Sequence, residues 1–444
     1  MKVTRILFAL LATVALLSAT QVFAAGGAEG AAPAPKAEPA VLQIISHAVH
    51  QSVATSGVGA GGDIVADIVK KGGLVAGANW NTLEIGPLHD RLFREASLPA
   101  TDVAVAYLLN TYALPRVANL LEPLDEYLKK APIEGFKENF GPGMLGTLTF
   151  NGKLYGIPMR AATHALGYSA DIFKERGIAR PPRTPEEFYE TAKKCTFKRA
   201  DGTQVYGYVQ QSHYYYTGVA GLARMWDGDF ITTDFKVVCS EQPMVNAIKM
   251  LADSYKEGIL PKNIPAIQHA EKQRMVEQGI IAMSFDAAGK VWGWRKTAVL
   301  PNLEVALGPM TDAVRAKYGD YPPMNTEFWS FVIPKNSKFK EQGWEFIREL
   351  SSADGALRMA MNGNGPTRES VFKDPKYAEK VPYADIAMKT SRNARVPIPA
   401  FEKAPQAMEL IDNYIQKGIF AEMTPQAAMD ELAKKLKELS TDLK

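Results

Sequence analysis

Two spacings of hydrophobic residues alternate along this chain. Short apolar runs, VLQIIS at 41–46, TDVAVAYLL at 101–109, GIIAMSF at 279–285, LEVALGPM at 303–310 and FWSFVIP at 328–334, have the length and composition of strands. Elsewhere apolar residues recur every three or four positions, which predicts helices in DIVADIVKK (63–71), GPLHDRLFREA (86–96), LEPLDEYLKK (121–130), TPEEFYETAKK (184–194) and EQPMVNAIKMLADSYKEG (241–258). KEQGWEFIREL (340–350) and TPQAAMDELAKKLKEL (424–439) continue the pattern. Asp63 is placed to cap or charge the first turn of its helix, and Pro87 lies near the start of the next. TDVAVAYLL is apolar on both faces, as a strand covered on both sides must be, so the succession of elements predicts a largely parallel α/β sheet. FKVVC (235–239) also has strand character, and KVWGWRK (290–296) spaces Trp292 and Trp294 to share a strand face or a loop.

The N-terminus departs from this pattern. Lys2 and Arg5 precede an apolar stretch at 6–19, and Val22-Phe23-Ala24 supplies a small-x-small cleavage signal, so residues 1–24 are expected to be a secretory signal peptide. The stretch is shorter than the ~20 apolar residues a spanning helix needs. The two cysteines, Cys195 and Cys239, lie far from the cleavage point, so a soluble periplasmic protein without a lipid anchor is expected. Residues 25–40 are small and Pro-rich and read as a disordered tether. The rest of the chain exceeds what one core usually supports, which argues for two lobes.

Charge narrows the partners. Without Lys2 and Arg5, the 51 basic residues fall to 49 against 48 acidic ones, a balance that favours neither nucleic acid nor a membrane surface. In an oxidising compartment the two cysteines form one bridge or stay as two buried thiols; sequence leaves both open. Gly57, Gly59 and Gly62 spell G-x-G-x-x-G, but some ten residues separate the preceding strand from Gly57. A dinucleotide loop follows its strand directly, so a loop that caps a helix is expected here, with no nucleotide cofactor. His47 and His50 have an i, i+3 spacing without a nearby third ligand, so no metal is expected. H-E-x-x-H and G-x-S-x-G are absent.

The segment NGKLYGIPMRAATHALGYSADIFKERGIARPPRTPEEFYETAKK, residues 151–194, resembles the family 1 extracellular solute-binding proteins of ABC importers, the group that includes maltose- and glycerol-phosphate-binding proteins. Gly152 through Pro158, Tyr168, Phe173-Lys174, Gly177 and Pro181-Pro182-x-Thr184 carry the likeness. LADSYKEGILP, MVEQGIIAMSFDAAG, WSFVIPKNSKFKEQGWEFIRELSSADG and GNGPTRESVFKDP extend it in the same order along the chain. Ser169 replaces the family's Asn after Tyr168, and Glu327-Phe328 replaces its paired glycines. The resemblance implies a type II-like two-lobed binding protein, each lobe a mainly parallel sheet flanked by helices, with three hinge crossovers near 160–164, 307–311 and 334–337. Residues 41–160 with 308–335 would form the N-terminal lobe, and 161–307 with 336–444 the C-terminal lobe. Such a receptor, expected as a monomer, closes on a small polar solute, a sugar, polyol or related compound, and docks on the transmembrane subunits of an ABC permease.

A cleft for such a solute needs flat apolar faces and polar edges. Tyr107 ends a buried strand, where open α/β sheets bind ligands. Trp226, Trp292 and the run Tyr214 to Tyr216 are further aromatic candidates, and Asp286 at a strand tip is suited to accept hydroxyls. From the resemblance come Trp329 on the late strand, Arg368 in its Pro-x-Arg segment, His47 after the first strand and His164 at the hinge. The competing reading is an exported lyase or glycosidase, since paired carboxylates are invisible in sequence.

Overall fold

The structure, a computed structural model, describes residues 37–55, 60–210 and 215–439. The expected signal peptide, most of the expected tether, Gly57, Gly59 and Tyr214 lie outside the described residues. Strands β1 (Ala40–Ser46), β2 (Val75–Thr82) and β3 (Val103–Leu109) pair in parallel in the order β2-β1-β3. Helices Ile64–Lys70 and Ile85–Ala96 make the crossovers, the first capped by Asp63, whose Oδ1 accepts from the Ala66 N–H at 2.8 Å. All seven residues of β3 are buried, which explains its unbroken apolar run. Helix Lys340–Ser351 covers this sheet, and Gly343 permits the close approach: a Cβ there would stand 2.6 Å from the Ala104 carbonyl oxygen.

A short hairpin, β4 (Thr149–Phe150) and β5 (Lys153–Leu154), leads into β6 (Ile157–Ser169), whose 13 residues belong to two sheets. The remaining strands are β7 (Phe197–Lys198), β8 (Gln204–Tyr208), β9 (Ile281–Ala287), β10 (Leu303–Ala306) and β11 (Thr326–Val332). Residues 157–163 of β6 pair with β11, which also pairs with β3, both antiparallel, so four of the five strands in the first sheet share a direction. From His164 onward β6 pairs with β9 and β10, and β8 lies parallel to β9 beyond them. Each sheet has its own core, one around Ile44, Val105, Phe331 and Phe346, the other around Ile248, Met283, Ile411 and Leu432.

The chain passes between the lobes three times. The first passage is inside β6. Segment 307–311 stays with the second lobe, where the Met310 N–H donates to the Arg183 carbonyl and the Thr311 N–H to that of Met225. The return follows at β11. Residues 334–337 remain on the first lobe, with Thr101 N–H donating to Asn336 O, and so does 364–367, where Asn364 Nδ2 donates to Met159 O at 2.7 Å and Thr367 Oγ1 to Pro158 O at 3.0 Å. The last passage precedes helix Ala404–Ile419, which joins the second core.

Two local expectations fail. FKVVC is not a strand; Val237 makes only an isolated bridge to Ile231. KVWGWRK forms the end of helix Ala288–Trp294, and two helical residues in i, i+2 positions point apart, so Trp294 is buried while Trp292 is half-buried. Cys195 and Cys239 are buried free thiols. Ser169 caps helix Ala170–Glu175 by accepting from the Ile172 N–H.

Candidate functional site

A cavity of about 770 Å³ opens at the carboxyl ends of β3, β8 and β9, where strands of an open α/β sheet leave backbone free for a ligand. Its floor is the passage between the lobes: Ala162 and His164 of β6, Asn325 to Glu327 around the start of β11. Leu109, Thr111 and Tyr112 from the first lobe face Tyr208, Gln210, Phe285 and Asp286 from the second. Helix Ala404–Ile419 adds Met408, Glu409 and Asp412.

The floor is held by hydrogen bonds between the crossing segments. The His164 N–H donates to Asn325 O at 2.8 Å, and the hydroxyls of Thr163 and Thr326 meet at 3.0 Å. Arg224, 1 % exposed, donates to Met324 O at 2.9 Å, to Arg395 O and Val396 O at 2.6 and 2.7 Å, to Asn325 Oδ1, and to Asp229 Oδ1 at 2.8 Å. One buried guanidinium thus ties both later passages to the second lobe, and Asp229 supplies the charge that its burial requires.

Two buried charges stand in the wall. Lys272, on helix His269–Glu277, places Nζ 2.8 Å from Asp286 Oδ2, which also accepts from Ser284 Oγ at 2.9 Å. Burial pushes the Asp286 carboxyl up, but the charges of Lys272 and Lys290 and the Lys272 hydrogen bond outweigh it and hold the group below the ordinary carboxylate range. His164 is lowered to about 4, chiefly by burial, and stays neutral at pH 7. Burial raises the Glu327 carboxyl, with Lys290 opposing.

On the first-lobe side, Tyr112 reaches the cavity and stacks on His89 at 3.7 Å. Behind it His89 lies against Trp329 at 5.6 Å, and His50 stacks on Tyr107 at 4.6 Å. His89 is fixed as one neutral tautomer: Nδ1–H donates to Ile85 O at 2.6 Å while Nε2 accepts from the Leu109 N–H at 3.1 Å.

Of the residues singled out in the sequence, His164 and Asp286 line the cavity, as does Tyr216 of the aromatic run. Tyr107 is fully buried in the layer behind, beside Trp329. His47 caps helix Ala48–Ala54, its Nδ1 accepting from Val49 N–H, with Nε2 3.7 Å from Glu84. Trp226 packs on the second core. Trp292 stacks beneath the Arg295 guanidinium at 4.0 Å. Arg368, 2 % exposed, donates to Ser351 O at 2.8 Å and Glu134 O at 2.7 Å. His47, Tyr107, Trp226, Trp292, Trp329 and Arg368 do not line the cavity. Sequence reasoning passed over Lys272, Lys290, Gln210 and Glu409, which do. A lysine on a polar helix looks like a solvated residue until a buried carboxylate is found opposite it. Among the described residues no cluster of three His, Cys, Asp or Glu side chains is placed to hold a metal.

Two lobes joined by a shared strand around a cavity are the architecture of a hinged binding protein. The profile of the family described as bacterial extracellular solute-binding protein matches residues 78–357, and the chain belongs to that family. A Brucella abortus protein named as a binding protein is 25% identical over 324 residues, 71% of this chain and 74% of that one. The sn-glycerol-3-phosphate-binding periplasmic protein UgpB of Yersinia pestis is 24% identical over 366 residues, 77% of this chain and 80% of that one. Among solved structures, maltose-bound MalE3 of T. maritima superposes with a TM-score of 0.72 at 22% identity, covering 90% of this chain and 99% of that one. A solute-binding protein of an Agrobacterium radiobacter ABC transporter in complex with ribitol gives 0.71 at 19% identity, covering 91% and 100%. The family binds solutes, and the chain is a binding protein rather than an enzyme. Among the described residues no helix is long and apolar enough to cross a membrane.

Proposed function

We propose that the chain is the periplasmic receptor of an ABC importer, capturing a sugar, polyol or related polar solute between its lobes and delivering it as a monomer to the permease in the membrane. The observation that carries this is the cavity of about 770 Å³ at the lobe junction, within the size range of small-molecule sites. Its chemistry suits a hydroxylated guest: Tyr112, Tyr216 and Phe285 offer ring faces to C–H surfaces, while Gln210 and Asp286 supply polar edges. The likeness to proteins bound to maltose and ribitol supports the solute class. His164, Tyr216 and Asp286 are its contacts among the residues named from sequence. Closure would turn on the passages inside β6, at Met324 to Thr326 and near Arg395, the last two of which Arg224 holds.

A thermal-shift screen of the purified protein against sugars and polyols tests this, because a ligand at 100 times its dissociation constant adds ~2.7 kcal/mol to stability. A stabilising solute recovered chemically unchanged after incubation supports the receptor. Conversion of that solute into products would overturn it.

A further inference from the structure

The hinge end of the cavity holds more positive charge than its acids answer. Lys272 is engaged by Asp286. Lys290, on helix Ala288–Trp294, lines the cavity and has no salt bridge among the described residues. Arg160 lies on the β6 face that presents Ala162 and His164, because strand side chains alternate, and its Nη1 is buried without a hydrogen-bond partner among the described residues. Loss of hydration lowers the Lys290 ammonium from its ordinary value, and Lys272 and Arg160 add repulsion against the attraction of Asp286 and Glu327. Glu327 is itself pushed toward its neutral form by burial. The remaining acids of the cavity, Glu409 and Asp412, belong to helix Ala404–Ile419, and Asp412 already accepts from the Tyr216 N–H at 2.8 Å.

Lys290 is exposed to solvent in the cleft, and closure of the lobes would remove the water that offsets its charge. We propose that the solute carries an anionic group, a carboxylate or a phosphate, and that Lys290 holds it at the hinge end of the cavity, with Arg160 behind adding its charge. This rests on the reading of the chain as a solute receptor. A lysine ammonium suits either anion, since it acts as a point charge with three rotatable donors, and the bonds it forms are charge-assisted.

The test uses matched pairs read by calorimetry and thermal shift: gluconate against sorbitol, and sn-glycerol 3-phosphate against glycerol. Each is measured on the parent, on Lys290→Gln, and on Lys296→Gln, an exposed lysine outside the cavity that serves as control. The expected result is that one anion raises the melting temperature while its neutral counterpart does not. Lys290→Gln then weakens that binding about tenfold or more, as loss of a charged hydrogen bond does, while Lys296→Gln leaves it unchanged. Which anion responds separates carboxylate from phosphate. Neutral solutes that bind parent and Lys290→Gln alike overturn the anionic assignment and leave the receptor standing, as does an anion indifferent to Lys290→Gln. Silence across both pairs and across the neutral sugar and polyol screen sinks the receptor reading as well.

Discussion

Lys272 Nζ and Asp286 Oδ2 stand 2.8 Å apart with side chains only 4 % and 7 % exposed, one from a helix and the other from the end of a strand. Truncating one partner leaves the other charged and dry. Lys272→Met is expected to cost about 3–5 kcal/mol of stability, as breaking buried pairs does, and to show it in urea unfolding. The double variant Lys272→Met with Asp286→Asn should recover much of that loss, because it removes both charges. A double variant no more stable than the single one would show that the pair is not what holds these elements.

His89 sets a pH dependence of definite sign. Burial lowers it to about 4, against the smaller raising effects of its bond to Ile85 O and of Asp90. A folded value below the unfolded one means the unfolded chain takes up the proton first, so stability is complete above pH 6.5 and declines as the pH falls toward 4. The decline from this one group amounts to about 3 kcal/mol by pH 4, and His164 adds a loss in the same direction. Urea titrations between pH 7 and 4 should show the slope, and His89→Gln should flatten it.

Arg368 separates stability from binding. Its guanidinium pairs the carbonyls of Ser351 and Glu134, away from the cavity lining. Arg368→Met should lower stability by about 1–3 kcal/mol through the buried Ser351 acceptor left unpaired, with solute affinity essentially unchanged. A large affinity loss at full stability would place Arg368 in the site instead.

Gly365 lies against the first passage between lobes. A Cβ there would fall 1.8 Å from the Ala161 carbonyl oxygen, and the Ala161 N–H donates to Gly365 O at 3.0 Å. Gly365→Ala must therefore displace the loop from β6, at a cost of about 1–3 kcal/mol typical of overpacking. Loss of amide protection at Ala161 in hydrogen exchange is the accompanying signature.

The fold was legible where burial leaves a compositional trace. β3 is buried along its whole length, so its apolar run announces it, while Asp63 marks a helix start through local chemistry alone and Pro87 falls in the first turn of the next helix. FKVVC has the right residues but no neighbouring strand to pair with, and pairing is decided by the rest of the chain. The site was legible only in part. The end of β3 does open on the cavity, yet Tyr107 is inside the strand and points into the aromatic layer, while Tyr112, beyond the strand's end, reaches the cavity. Lys272 and Asp286 come from separate elements, and nothing local in either segment reveals the partner.

Because β6 serves both sheets without a break, the linkage between the halves is hydrogen-bonded along its length. Any motion there would be a twist of a paired ribbon, which limits the number of ways the halves can approach. Neither half is a continuous piece of chain, so proteolysis or truncation will not liberate one as a working fragment: the molecule is inherited, and lost, as a whole.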